Sequence, residues 1–369
     1  MRVLLCGGGT AGHVMPAIAI GEIIEKSFPG SVIAFAGRDS GDENRAYEAT
    51  GHRLYTLEIS GIKRSISINN IKSIIKLIKS GRIARGIIKD FHPDLIIGTG
   101  GYVCYPFIRQ GQRLGVRTAM HESNVFPGLV TRLVGMRCDS VMLNLEGTKK
   151  YLKASVNTAV VGNPTRASFG AISKLAARKR LGIRDGEILV VSFGGSLGAE
   201  LLNKTMAEMI LKYTVNDKRI RHIHSTGRAH YEAFKNRYPE LLESCSKAKI
   251  LPYIDDMPTA LTAADLAITR SGAITVSELC RCGTPSILIP SPNVTANHQF
   301  INADYVRAHG AARMIEEKEL SARRLFEEVR AITESPETMR KMTRRSKSLY
   351  TRDTEKAIAE VIKSITQST

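Results

Sequence analysis

Short apolar runs alternate along the chain with longer stretches in which apolar residues recur every three or four positions. Residues 2–6 (RVLLC) form the first run, and GGGTAGHVMPAIAIGEII after it carries Ile18 and Ile23 at helical spacing, which predicts a strand, a glycine loop and a helix. RLYTLE, DLIIGTGGYV, VRTAMHESN and CDSVML continue the alternation, and EILVVSFGG, IRHIHSTG, KAKILPYIDDM and ADLAITRSG repeat it in the second half. Such a pattern predicts parallel sheets with crossover helices. Between the halves, residues 160–169 (VVGNPTRASF) read as an interdomain linker and hinge, with Gly, Asn-Pro and the lone Arg166. Each half opens on a strand that runs into a glycine loop, at residues 7–12 and 194–198, which points to two similar α/β domains. The expected boundaries are 1–163 and 164–348, with a last helix at about 349–369 crossing back to the first domain.

A chain of 369 residues is too long for one ordinary core, in keeping with two domains. Lys and Arg number 53 against 35 Asp and Glu, a formal charge of +18, so the partner surface is expected to be negative: nucleic acid, anionic lipid or a phosphorylated substrate. Aromatics make up 6% with no Trp, which leaves few stacking platforms for a single-strand binder. Cys6, Cys104, Cys138, Cys245, Cys280 and Cys282 are scattered and give no disulfide framework or zinc ligand set. The N-terminus enters a strand at once, with no secretory h-region, and no window approaches a spanning helix; a cytosolic protein with at most peripheral membrane contact is expected.

The chemistry centres on residues 269–290, TRSGAITVSELCRCGTPSILIP. Val276, Leu279 and Cys280 form an apolar stripe toward the sheet, and Thr275 and Glu278 a polar stripe beside it. Ser271, Gly272 and Ala273 stand where the helix begins, so backbone N–H groups and the positive end of the dipole make an anion site. Glu278, about a turn and a half in, suits a ribose diol; the alternative is a solvated Glu on an ordinary strand-turn-helix. In the first half, Thr10 and His13 are the polar side chains at the loop, and His13 reads either as a catalyst or as a helix-start residue. The glycines do not sit in a dinucleotide-binding setting, because no acid ends the second strand. GTGGY (98–102) and HESN (121–124) are polar strand ends expected to share a crevice with the first loop. Asp255-Asp256 reads as a cap for the helix near Met257 rather than a metal pair. Asn297, His298, Gln299 and Asn302 suit sugar hydroxyls or an N-cap. From Gly61 to Asp90, Ile71, Ile74, Ile75, Ile78, Ile83 and Ile87 mark one face, with Lys72, Lys76, Lys79, Arg82, Arg85 and Lys89 around it; this suits an interfacial helix or a solvated one packed on the sheet.

GGGTAGHVMPAIA, GTGGYV, HESN, VGNPTR, FGGSLGA, YIDDM, RSGAITVSE and NHQFINA together resemble, in order and over nearly the whole chain, the MurG family of UDP-N-acetylglucosamine: N-acetylmuramyl-(pentapeptide) pyrophosphoryl-undecaprenol N-acetylglucosaminyltransferases of bacterial peptidoglycan synthesis. The resemblance implies a GT-B fold, two Rossmann-like doubly wound α/β domains facing across a deep cleft, with the donor on the C-terminal domain and the lipid acceptor on the N-terminal one. It implies donor contacts at Thr10, Ala11, Gly12, Asn124, Arg166, Ser196 and Ile254, at Ala273, Ile274, Thr275, Val276, Ser277 and Glu278, and at Gln299, with Glu278 on the ribose and Gln299 on the sugar hydroxyls. His13 is the candidate general base, and Gly100, Gly101, Tyr102, His121 and Glu122 are acceptor-side candidates. Ala11 stands where the family usually has Gly, HESN replaces the commoner HEQN, and His298 replaces a frequent Gln.

The implied reaction moves N-acetylglucosamine from UDP-N-acetylglucosamine to the muramyl 4-hydroxyl of lipid I, giving lipid II with inversion. No cofactor is implied, and with no D-x-D signature no donor-site metal is expected. The expected location is the cytoplasmic face of the bacterial inner membrane, peripheral and held by an anionic surface, with no nucleic-acid partner. Two rivals are a UDP-N-acetylglucosamine 2-epimerase, which shares the fold and needs no lipid, and a basic nucleic-acid-binding protein.

Overall fold

The structure is a computed structural model that describes residues 1–39, 44–58, 68–166, 168–195, 198–243 and 245–367, with the backbone alone at 68–78. It divides into two compact units, Met1–Pro164 with Thr351–Thr369, and Thr165–Tyr350.

The first unit runs β1 (Arg2–Cys6), α1 (Ala11–Ser27), β2 (Val32–Arg38), α2 (Asn44–Glu48), β3 (Arg53–Leu57), α3 (Ile68–Phe91), β4 (Leu95–Gly98), α4 (Cys104–Arg113), β5 (Arg117–Glu122), α5 (Leu129–Val134), β6 (Ser140–Leu143) and β7 (Thr158–Val160). Its seven strands pair in parallel in the order β3-β2-β1-β4-β5-β6-β7. Direction reverses between β1 and β4, which makes their carboxyl ends the switch point where ligands bind. The sequence pattern missed β7: its three half-buried residues are too short a run to separate from the linker that follows.

Strands covered on both faces need apolar residues at every position, and alternation then divides them between two cores. Leu4 and Cys6 pack with Ile88, Phe107, Ile108 and Val134 of the α3–α4–α5 layer. Val3 and Leu5 pack with Ile20 and Ile24 of α1 and with Ile358 and Ile362, which belong to the last helix of the chain.

The second unit runs α6 (Lys174–Arg180), β8 (Ile188–Phe193), α7 (Glu200–Met209), β9 (Ile220–Ser225), α8 (Tyr231–Arg237), α9 (Glu240–Glu243), β10 (Ala248–Leu251), α10 (Met257–Ala263), β11 (Leu266–Thr269), α11 (Ala273–Cys282), β12 (Ser286–Leu288), α12 (His298–Ala308), β13 (Ala312–Met314), α13 (Ala322–Thr333) and α14 (Pro336–Leu349). The order β10-β9-β8-β11-β12-β13, again all parallel, puts its switch point at β8 and β11. Val190 and Ile268 face Met206 of α7 and Val329 of α13, whereas Val191 and Ala267 face Leu261 of α10 and Leu279 of α11. The chain then returns to the first unit as α15 (Thr354–Gln367), which packs on α1.

Asp256 caps α10, accepting from Thr259 N–H at 3.2 Å, as the sequence suggested. All six cysteines are free thiols. Among the described residues no helix is long and apolar enough to cross a membrane. Ser196 and residues 61–67 of the basic stretch lie outside the described residues.

Candidate active site

In the first unit the loop between β1 and α1 is held from three sides. Tyr47 Oη donates to Gly7 O at 3.0 Å, Thr99 Oγ1 donates to His13 O at 2.7 Å, and Gly8 N–H donates to Gly100 O at 3.3 Å. The approach is close enough that side chains do not fit. A Cβ on Gly101 would stand 2.1 Å from Gly8 O, and one on Gly100 would stand 2.3 Å from His13 Nδ1 and 2.6 Å from its Cε1. Both glycines also have positive φ, 121° at Gly100 and 85° at Gly101. The half-buried His13 ring therefore lies with its Nδ1–Cε1 edge on Gly100. Thr10 is the N-cap of α1 but makes no side-chain capping bond, and Thr10, Ala11 and Gly12 are all exposed, so this helix start is open to a ligand.

Gly100→Ala forces the His13 ring off its support and a strained φ on the loop. It is expected to cost ~1–3 kcal/mol of stability and to lower kcat with it; an unchanged Tm together with an unchanged kcat contradicts this packing.

The sequence-derived acceptor candidates separate. Tyr102 is 38% exposed beside Gly100 and Gly101. His121 and Glu122 are buried, 1% and 5% exposed. His121 Nε2 lies 3.0 Å from Gly162 O, and burial holds its pKa below the ordinary imidazole value. Glu122 accepts at Oε1 from Asn124 N–H at 3.1 Å, and at Oε2 from Gly128 N–H and Thr131 Oγ1, both at 2.8 Å. Its carboxylate thus orients Asn124 and closes the start of α5. HESN cannot reveal this, because Gly128 and Thr131 lie beyond the motif.

Sequence reasoning also missed Thr99 and Cys104. Cys104 Sγ donates to Cys6 O at 3.0 Å and to Gly100 O at 2.9 Å, and burial pushes its thiol up to about 12, so it fastens the loop as an inert group.

In the second unit α11 starts immediately after β11, at the switch point. Gly272 is its N-cap, and the first intrahelical bond is Val276 N–H to Gly272 O at 2.9 Å, so the N–H groups of 273–275 precede the ladder. No acid occupies this turn. Gly283 in the left-handed conformation, φ 71°, ends the helix, with Thr284 N–H returning to Leu279 O at 3.0 Å. The turn is braced from behind: Ser271 Oγ donates to Gln299 O at 2.8 Å, and Asn302 Nδ2 donates to Ser271 O at 3.2 Å. Gln299 Oε1 accepts from Ser291 N–H at 3.0 Å, which leaves its amide NH2 for a ligand.

Glu278 is half-buried on the Thr275 side of α11. Burial pushes its carboxyl up to about 7, and the Arg166 charge offsets this only in part. Arg166 itself is exposed, stacked over Phe169 at 5.2 Å. Ile254 and Val276 are core side chains, 5% and 3% exposed, so contacts made by these two positions run through their main chain. Ser277 Oγ is turned back on Ala273 O at 3.1 Å. At the neighbouring strand end, Gly198 has φ 81° and a Cβ there would meet Thr226 O at 2.2 Å, so the backbone at Gly198 lies directly against Thr226.

Two doubly wound units, each opening a glycine loop and a helix start at its switch point, one of them with a carboxylate a turn and a half inside the helix, define a GT-B glycosyltransferase of the nucleotide-sugar class. The glycosyltransferase family 28 N-terminal domain matches residues 3–143, and the family 28 C-terminal domain matches residues 188–362. The UDP-N-acetylglucosamine--N-acetylmuramyl-(pentapeptide) pyrophosphoryl-undecaprenol N-acetylglucosamine transferase of Acetivibrio thermocellus is 40% identical, over 99% of this chain and 98% of that protein. The protein of the same name from Alkaliphilus metalliredigens is 38% identical, over 99% of this chain and 100% of that one. Among solved structures, MurG of Acinetobacter baumannii superposes with TM-score 0.81 at 22% identity, covering 98% of this chain and 99% of that one. A Neisseria meningitidis UDP-GlcNAc 2-epimerase bound to UDP-GlcNAc gives 0.68 at 15%, covering 99% and 100%, so epimerases share the fold. The chain belongs to glycosyltransferase family 28 and, within it, to the family of these N-acetylglucosamine transferases.

Proposed function

We propose that the enzyme transfers N-acetylglucosamine from UDP-N-acetylglucosamine to the 4-hydroxyl of undecaprenyl-pyrophosphoryl-N-acetylmuramyl-pentapeptide, lipid I, giving lipid II with inversion at the anomeric carbon. Relatives bearing that activity in their names match over the full chain. The observation that carries the site assignment is the open start of α11 with Glu278 behind it. The diphosphate lies at the N–H groups of 273–275, where helix dipole and donors stabilise negative charge as UDP departs. Arg166 adds a positive charge, Glu278 accepts from the ribose diol, the Gln299 amide meets sugar hydroxyls, and Ile254 supplies a main-chain contact. The start of α1 at Thr10, Ala11 and Gly12, with Asn124, completes the donor contacts. The acceptor hydroxyl loses its proton to His13, because a neutral imidazole is an effective base near pH 7. Gly100, Gly101 and Tyr102 border the acceptor.

Labelled UDP-N-acetylglucosamine incubated with a lipid I analogue gives a labelled lipid product if this is right. Intact donor overturns it, and UDP-N-acetylmannosamine formed without acceptor favours an epimerase.

We also propose that the enzyme sits on the cytoplasmic face of the inner membrane through its first unit. Leu129, Leu133 and Met136 are 46%, 60% and 50% exposed along α5 and the turn after it, Ile83 on α3 is 39% exposed, and Arg82, Arg85, Arg132 and Arg137 are exposed among them. Apolar side chains in a basic field suit an anionic interface. Leu133→Gln with Met136→Gln is expected to reduce co-sedimentation with phosphatidylglycerol vesicles about tenfold; equal sedimentation of variant and parent contradicts the assignment of this face.

A further inference from the structure

Arg281 stands in the last turn of α11, three residues after Glu278 and so on the same side of the helix. Its guanidinium is bonded to the segment that precedes α6. Nη1 donates to Thr165 Oγ1 at 2.7 Å and to Thr165 O at 3.3 Å. The same guanidinium lies over the Tyr350 ring, 5.5 Å from its centroid, so one side chain holds the first and last residues of the second unit. The segment is fastened to α11 again four residues on. Phe169 is fully buried in one cluster with Val276, Leu279 and Cys280, and a Cβ on Gly170 would stand 3.8 Å from Arg281 O. Arg166 lies between these two anchors, with its side chain exposed and its O accepting from Phe169 N–H at 3.1 Å. Its charge falls on Glu278 and on Asp256, the cap of α10.

A cation in the last turn of a helix complements the dipole wherever the side chain points. Here both bonds go to Thr165, the neighbour of Arg166. A long exposed side chain loses rotamer freedom when it grips a ligand, and a fixed backbone beneath it lowers that cost by holding its Cα in range. We propose that Arg281 is a positioning residue of the donor site: by fixing Thr165 to α11 it sets Arg166 beside Glu278, so that the donor helix carries its own cation for the nucleotide diphosphate. Arg281 acts through Arg166 and not by contact with the donor. The proposal rests on the donor roles given above to Arg166 and Glu278.

A double-mutant cycle on the full chain tests it, with the Kd for UDP-N-acetylglucosamine measured by titration calorimetry at pH 8 and constant ionic strength, and Tm recorded for each variant. Arg166→Gln is expected to weaken binding about tenfold in the parent but less than about twofold in the Arg281→Gln background, where Arg166 is already displaced. Arg281→Gln alone is expected to weaken binding at least about fivefold, whereas Arg344→Gln, the same charge removed from an exposed position on α14, changes it less than about twofold. Thr165→Val keeps the charge of Arg281 and removes its hydroxyl partner. It is expected to act in the same direction, and it carries the cycle if Arg281→Gln folds poorly. The pH dependence is a readout that a loss of stability alone does not move. With Arg166 displaced the Glu278 carboxyl rises further, so affinity begins to decline at a higher pH than in the parent, in Thr165→Val as in Arg281→Gln. An equal cost of Arg166→Gln in both backgrounds overturns the proposal and leaves Arg281 a structural tie, as does one pH profile shared by parent and variants. Binding by the parent that Arg166→Gln does not alter overturns it through Arg166. No binding by the parent overturns the donor assignment itself, and the proposal falls with it.

Discussion

Alanine in place of His13 is expected to lower kcat by about two orders of magnitude or more, with the donor KM changed much less. The acceptor hydroxyl is a poor nucleophile until its proton is taken, and no other imidazole lies at the described ends of β1 and β4. The ring is positioned by the surface of Gly100 and by the loop bonds from Thr99 and Tyr47, none of which the substitution removes. Loss of the base alone therefore appears in kcat. His13→Ala at near-parental turnover removes the residue from the mechanism, and a fall confined to KM makes it a binding group instead.

The second large effect is at Glu278. Glu278→Gln keeps the shape but gives up the charge that accepts from a ribose diol. Hydrogen bonds to a charged group are worth about 1.5–3 kcal/mol, so the donor Kd is expected to rise roughly 10- to 100-fold at pH 8. Because the carboxyl titrates at about 7, parental affinity should decline as pH falls through that value while the variant's does not. Stability moves the other way. Between its ordinary value of 4.5 and about 7 the folded carboxyl keeps a proton that the unfolded one has released. Its contribution is thus complete below about pH 4.5 and is lost as pH rises through 7. Glu278→Gln is expected to match the parent in unfolding free energy and Tm at pH 4.5, and at pH 8 to have the higher Tm and to be the more stable by at most ~3 kcal/mol. A pH-independent Tm difference would place the carboxyl in water.

The doubly wound architecture was legible because strands covered on both faces are written as unbroken apolar runs, and because each crossover helix carries its own period. Val276, Leu279 and Cys280 illustrate this: their spacing alone turns them to the sheet, and they are 3%, 2% and 3% exposed. What the pattern could not reveal depends on partners distant in sequence. Glu122 resembles a displayed acid until Gly128 and Thr131 are found on it. Ile254 and Val276 stand in functional motifs, but their side chains serve the core. β7 is too short to carry a period at all. Nor does composition separate Arg281, held on Thr165 and Tyr350, from the rest of a charge of +18.

The return of α15 to the first unit has a consequence for the order in which the protein is made. Ile358, Ile362 and Ile365 fill the face of the sheet shared with α1, and Lys26 pairs with Glu355 at 3.1 Å. The strands of the first unit thus wait for α15, which is made only after the whole second unit, before their own core is closed. The second unit, Thr165–Tyr350, is contiguous and can reach its native packing earlier. Synthesis from the N-terminus and completion of the folds therefore run in opposite order, and the half that carries His13 is the one exposed longest to chaperones and proteases.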